Sequence, residues 1–236
     1  MSWKTSMYYG RKKRYIIAAA VALPIIAVLF YATLQGGYKN SEEWNFDSHP
    51  ENTSIPNPFA SIDTGALGDK GIWTIKSDQT APTKPNVLAR ISENGTGSGY
   101  HLLLIARGSY DTFDASVKFK IISGKEDEAA GLVFRFQDIN HYFMLRADAM
   151  NNMFSLCRIQ IGAVVCTQNV DVSYLHLAKG QWHTITAQVA PPGIGGFLDG
   201  TRLVQRNDQN YLGGGQIGVL TKGDSNVHFD NLGIKY

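Results

Sequence analysis

The chain has 236 residues, of which 44% are hydrophobic and 18% charged, with a formal net charge of +2. Lys4, Arg11, Lys12, Lys13 and Arg14 supply +5 before residue 15, so the remaining 222 residues hold 17 basic against 20 acidic groups. The basic balance belongs to the tail, which argues against nucleic acid as a partner. Two cysteines, with no P-loop, zinc motif or dinucleotide glycine loop, give no cofactor and no metal centre.

The first element is RKKRYIIAAAVALPIIAVLFYATLQGG, residues 11–37. Residues 15–34 carry no charge, and at about 1.5 Å per residue a helix of that length crosses a bilayer core of roughly 30 Å. Phe30 and Tyr31 stand where a signal-peptidase site needs small residues, which favours an uncleaved anchor over an export signal. The basic residues before it place residues 1–14 in the cytoplasm as a tail and everything after about 35 outside. Tyr15 and Tyr31 suit the two interfaces, and Pro24 is set to bend the span. Tyr15, Pro24, Phe30 and Tyr31 are the expected docking residues for neighbouring membrane subunits and lipid.

Residues 35–60 are polar, with three prolines and no period, and read as an extracytoplasmic linker. From 61 to 236 the pattern is that of an all-β domain. In FDASVKFKII, Phe113, Ala115, Val117, Phe119 and Ile121 share one face, and Asp114, Ser116, Lys118 and Lys120 the other. Twelve further short segments are strand candidates, with Gly, Asn or Asp in most of the gaps between them, which predicts an antiparallel sandwich or barrel. A two-residue turn at Ile139–Asn140 would pair Phe136 with Phe143, Phe134 with Leu145 and Leu132 with Ala147 as core. A turn at Ile161–Gly162 sets Cys157 opposite Cys166, a geometry that accepts a disulfide; two free buried thiols are the alternative.

Four stretches carry a resemblance. AAGLVFRFQDINHYFMLRADAMNNMFSLCRI, KGQWHTITAQV, FLDGTRL and GGGQIGVLTKGDSNVHFDNLGIKY resemble the concanavalin A-like lectin/glucanase superfamily, and within it the bacterial keto-disaccharide-hydrolase-like domains, a domain of unknown function. The resemblance implies a jelly-roll β-sandwich of two antiparallel sheets. It implies no single activity, because the fold carries lectins, glycosidases and structural modules. Pro191 and Pro192 in APPGIGGFLDG depart from the family pattern.

No E-x-D-x-E strand is present to supply a glycosidase carboxylate pair, and Glu126, Asp127 and Glu128 read as a solvated turn. No catalytic residue is therefore assigned. The expected ligand face is Arg135, Tyr142, Arg146 and Asp148, with ordinary cross-strand pairing as the alternative. Trp182 reads as a stacking platform or a packing contact, and His183 falls on the apolar face. Asp230 and Asn231 lack the oxygen-rich neighbours a calcium site needs.

With the anchor as the most informative element, the sequence reads as a non-catalytic, single-pass accessory or scaffolding subunit of a bacterial inner-membrane complex. A respiratory or photosynthetic reaction-centre–antenna assembly is a reasonable host. Residues 15–34 and the linker would meet integral membrane subunits, and the sandwich would cap the periplasmic side. A tethered carbohydrate-binding module, with a glycan as partner, is the alternative, and a glycoside hydrolase-like enzyme the third reading.

Overall fold

The computed structural model describes residues 37–65, 72–92, 99–207 and 213–236. The expected tail, the span and the docking residues Tyr15, Pro24, Phe30 and Tyr31 lie outside the described residues. Among the described residues no helix is long and apolar enough to cross a membrane.

The described strands, in chain order, are β1 (Ser41–Trp44), β2 (Phe59–Thr64), β3 (Ile72–Ser77), β4 (Asn86–Ile91), β5 (Tyr100–Ile105), β6 (Phe113–Ser123), β7 (Ala129–Asp138) and β8 (His141–Asp148). They continue with β9 (Met153–Gln160), β10 (Ala163–Asp171), β11 (Trp182–Ala190), β12 (Gly193–Leu198), β13 (Thr201–Asn207), β14 (Gln216–Lys222) and β15 (Asn226–Lys235). One sheet runs β13-β12-β11-β6-β15-β4-β3, with β1 also paired to β15; the other runs β10-β9-β8-β7-β14-β5-β2. All the strand pairs are antiparallel, so the fold is an antiparallel β-sandwich. We call the two the eight-stranded and the seven-stranded sheet.

Period-two patterning explains the layers. On β6, Phe113, Ala115, Val117, Phe119 and Ile121 are buried, and they meet Leu132, Phe134, Leu145 and Phe154 of the other sheet in one cluster. Phe113 and Phe134 touch edge to face across the interface, with ring centroids 6.0 Å apart. Burial of such side chains is worth about 1.5–3 kcal/mol each, which makes this face the main source of stability.

The expected linker, residues 35–60, is corrected from Asn40 onward. β1 pairs with β15 from Ser41↔Lys235 to Trp44↔Leu232, and Asn40 and Tyr236 exchange backbone hydrogen bonds of 3.0 Å. Phe46 and Phe59 are buried in the core beside Trp44. The compact unit therefore starts at Asn40 rather than 61. Aromatic residues with apolar surface to bury outweigh the polar composition around them.

The Ile139–Asn140 turn is present, closed by Asp138↔His141, but β7 bulges between Phe134 and Asp138. The pairs become Phe134↔Phe143 and Leu132↔Leu145, two residues from the expected register. A shift of two keeps each side chain on its face. Phe136 is the exception: beyond the bulge it packs against Tyr142 on the outer face, with centroids 5.5 Å apart. At the next hairpin the register is the one counted from Ile161–Gly162, and Cys157 and Cys166 form a disulfide. Pro191 and Pro192 sit in the two-residue turn between β11 and β12, where Ala190 pairs with Gly193, so they cost the ladder nothing.

Candidate functional site

The outer face of the eight-stranded sheet is polar. Alternation on β6, β11 and β15 turns Lys120, Trp182 and His228 outward, and register sets them in one row: Trp182 opposite Lys120, and Lys120 opposite His228. The turn after β3 brings Asp78 and Thr80 onto that row. Asp78 is ion-paired to Lys120 Nζ, and its Oδ2 lies 2.7 Å from His228 Nδ1. Asp78 Oδ1 accepts from the Thr80 amide at 2.9 Å and the Thr80 hydroxyl at 2.8 Å. The same hydroxyl oxygen accepts from Lys120 Nζ at 2.7 Å and from the Trp182 indole N–H at 3.2 Å. Thr80 Oγ is thereby saturated, with one proton given and two received. Lys120 Nζ also lies 5.1 Å from the Trp182 ring centroid.

Charge in this row is fixed by its neighbours. Burial opposes ionisation of Asp78, but hydrogen bonds from Lys120, His228 and Thr80 outweigh it and hold the carboxyl far below the usual carboxylate range. Burial pushes His228 below the ordinary histidine value, helped by the Lys120 charge and opposed by the Asp78 bond. His228 is thus neutral near pH 7. Its Nδ1–H donates to Asp78 and its Nε2 is left as an acceptor. Trp182, half-buried, is locked by its N–H in a polar surround.

The outer face of the seven-stranded sheet departs from expectation. Tyr142, Arg146 and Asp148 do come together there, joined by Tyr100 and Thr64. Arg146 Nη1 donates to the Tyr100 hydroxyl at 2.9 Å, Tyr142 and Thr64 share a hydroxyl hydrogen bond of 3.2 Å, and Arg146 Nη2 is 3.9 Å from Asp148. These bonds tie β8 to β5 and β2 across β7 and β14, so the sheet curls over this face. The face is apolar and closed: Leu102, Leu104, Val133, Met144 and Leu220 are buried, and Tyr142 is only 1% exposed. Arg135 is not on it. It lies within the bulge at φ 49°, which breaks the alternation, and its fully buried guanidinium sits 6.0 Å from the Phe143 ring on the core side. Trp182 is on the other sheet. The five expected ligand residues therefore divide three, one and one.

The acidic run is also corrected. Its loop joins the two sheets, and Asp224 accepts the backbone N–H groups of Lys125, Glu126 and Asp127 at 2.7–3.2 Å. Asp127 pairs with Lys222 and Glu128 with Lys179, and both acids are buried. His183 is buried as expected, with Nδ1 2.7 Å from Asp199. Asp230 accepts from the Thr83 and Asn231 amides at 2.8 Å, and burial raises its pKa. Among the described residues no three His, Cys, Asp or Glu side chains are placed to hold a metal ion.

Sequence reasoning missed Asp78, Thr80, Lys120 and His228 as partners of Trp182. Lys120 on the wet side of β6 was a usable signal. Its apposition to Trp182 and His228 needs the strand order β11-β6-β15, which no local pattern encodes.

No family model matches the chain, and no curated protein matches it. Solved structures do. The carbohydrate-binding module CBM66 from Bacillus subtilis aligns with a TM-score of 0.56 at 16% identity, covering 78% of this chain and 100% of the module. A mixed linkage glucan GH16 protein from Bacteroides ovatus, in complex with a product, aligns with a TM-score of 0.57 at 8% identity over 82% and 98% of the two chains. Domain 4 of an extracellular arabinanase from Geobacillus stearothermophilus, in complex with arabinotriose, gives 0.52 at 13% identity over 82% and 90%. The fold is the concanavalin A-like jelly roll. At these identities the likeness extends to the fold alone.

Proposed function

We propose that the domain is a tethered carbohydrate-binding module that stacks a sugar on Trp182 at the outer face of the eight-stranded sheet. The observation that carries the reading is an indole half-buried on a polar sheet face and held by Thr80 and Lys120. A sugar needs an apolar plane ringed by hydrogen-bonding groups whose positions are already fixed. The row provides both, with His228 Nε2 as an acceptor. Carbohydrate appears in the names of the fold neighbours: a carbohydrate-binding module, and an arabinanase domain seen with arabinotriose. That favours this reading over the membrane-complex subunit, whose support is the apolar segment alone. Asp78, Asp127, Glu128 and Asp224 are each already engaged, accepting from or pairing with groups of the chain, so the reading is non-catalytic. In the tether, residues 15–34 hold the module to the membrane.

The test is glycan-array binding by the full chain in detergent micelles. Trp182→Ala should weaken the best ligand by about tenfold or more, the loss of roughly 1.4 kcal/mol of stacking. Arg146→Ala, on the other sheet, should leave binding intact. Unchanged binding by Trp182→Ala, or hydrolysis of the bound glycan, overturns the reading.

A further inference from the structure

We propose that the hairpin tips Ile139 and Ile161, with Val164 beside them, rest in the interface of the lipid bilayer and dock the end of the domain onto it. Ile139 is 53% exposed, Val164 47% and Ile161 81%. The two tips adjoin, because the Ile161 amide donates to the Asn140 carbonyl at 3.0 Å. They form one apolar projection rather than scattered surface residues.

Folding does not account for Ile161. It is the first central residue of a two-residue hairpin turn, with φ 52°, followed by Gly162 at φ 73°. Asn, Asp or Gly fits this left-handed position, whereas a β-branched side chain there is strained. Ile161 is thus unfavourable twice over, once for its backbone and once for its exposure. Such strain is kept where something outside the local fold requires the residue.

The position of the tips selects the partner. The chain enters the compact unit at Asn40, which pairs with Tyr236. The Tyr236 ring meets Tyr110, with centroids 4.9 Å apart, and Tyr110 bridges to Gly215. Gln216 follows and pairs with Phe136, on the strand that ends at the Ile139 turn. Chain entry and apolar tips therefore share one end of the sandwich. Five residues lie between Leu34 and Asn40, and the six steps along the chain reach about 20 Å at full extension. The proposal rests on the anchor of the tethered module: with residues 15–34 in the bilayer, this end faces the headgroups. Isoleucine is suited to the headgroup–acyl boundary. Beside the tips, Asp138 Oδ1 lies 3.0 Å from His141 Nδ1.

The experiment uses the full chain reconstituted in phosphatidylcholine vesicles, with a fluorophore on Ala163→Cys, an exposed position beside the tip. Lipid-borne nitroxide should quench the probe and aqueous iodide should not. In Ile139→Asn/Ile161→Asn that pattern should reverse, while the thermal midpoint of Ile161→Asn stays level or rises. Carbonate extraction separates the two readings. A chain that resists extraction but shows no lipid quenching keeps the anchor and overturns the docking surface. A chain that is extracted yet was quenched supports the docking surface and loses the anchor. Protection that depends on protein density rather than lipid indicates self-association and overturns the proposal.

Discussion

Lys120→Met removes one member of a buried ion pair while keeping most of the aliphatic stem. The side chains of Lys120 and Asp78 are 8% and 7% exposed, so Asp78 loses its counter-ion out of reach of bulk water. Removing one partner of such a pair costs about 3–5 kcal/mol. His228 and Thr80 still bond to Asp78, which places the loss near the lower bound, about 3 kcal/mol. For a domain of this size that is a fall of about 6–12 °C in melting temperature. The pH dependence gives a sharper signature. Burial lowers the His228 pKa first and the Lys120 charge lowers it further, while the Asp78 bond raises it. Without Lys120, His228 titrates higher in the folded variant than in the parent. Protonated His228 then replaces the missing cation, so the deficit relative to the parent shrinks as the pH falls from about 8 to about 6. Urea unfolding of the full chain at both pH values measures it. A loss under about 1 kcal/mol, or one as large at the lower pH, would refute the account of this row as a buried charge network.

Loss of the Cys157–Cys166 bond, by reduction or by a double alanine substitution, should cost about 2.5 kcal/mol, the chain entropy released by opening a loop with a separation of nine residues. Calorimetry with and without reductant checks this, and an unchanged melting temperature contradicts it. His101 and His228 are both held below the histidine value of 6.5, first by burial. The folded state keeps them neutral, so the unfolded chain takes up protons first. Their contribution is complete above about pH 6.5 and is lost as the pH falls below it. The melting temperature should therefore drop between about pH 7.5 and pH 5.5, and less steeply in His101→Gln/His228→Gln; a rise would contradict the assignment.

The strands from β3 to β15 were legible as short apolar-rich segments between turn signals, and in the Phe113–Ile121 run the alternation of one buried and one outer face is plain. β1 and β2 were not. SEEW and FASIDT are short, with polar residues on both sides, and they are held by pairing to β15 and β5, far away in sequence. The apolar outer face of the seven-stranded sheet was misread for a related reason. Val133 and Met144 alternate with core residues as polar side chains would, and period alone does not say that a second apolar face is buried too. Arg135 shows the limit most clearly: one residue in the left-handed region reversed a correct alternation. The Trp182 row depended on which strands became neighbours, and that is decided by the whole fold.

β1 enters the domain at Asn40 and runs inward along β15, so a pull on the chain ahead of it acts along the strand. The ladder bonds are then loaded side by side in shear instead of opening one at a time. Phe46, buried just beyond, acts as a stop against slippage. β15 also carries His228, which reaches Trp182 through Asp78 and Thr80. If the module grips a polymer at Trp182 while its tether is fixed, tension crosses the molecule through that single strand, from its last residues to its first.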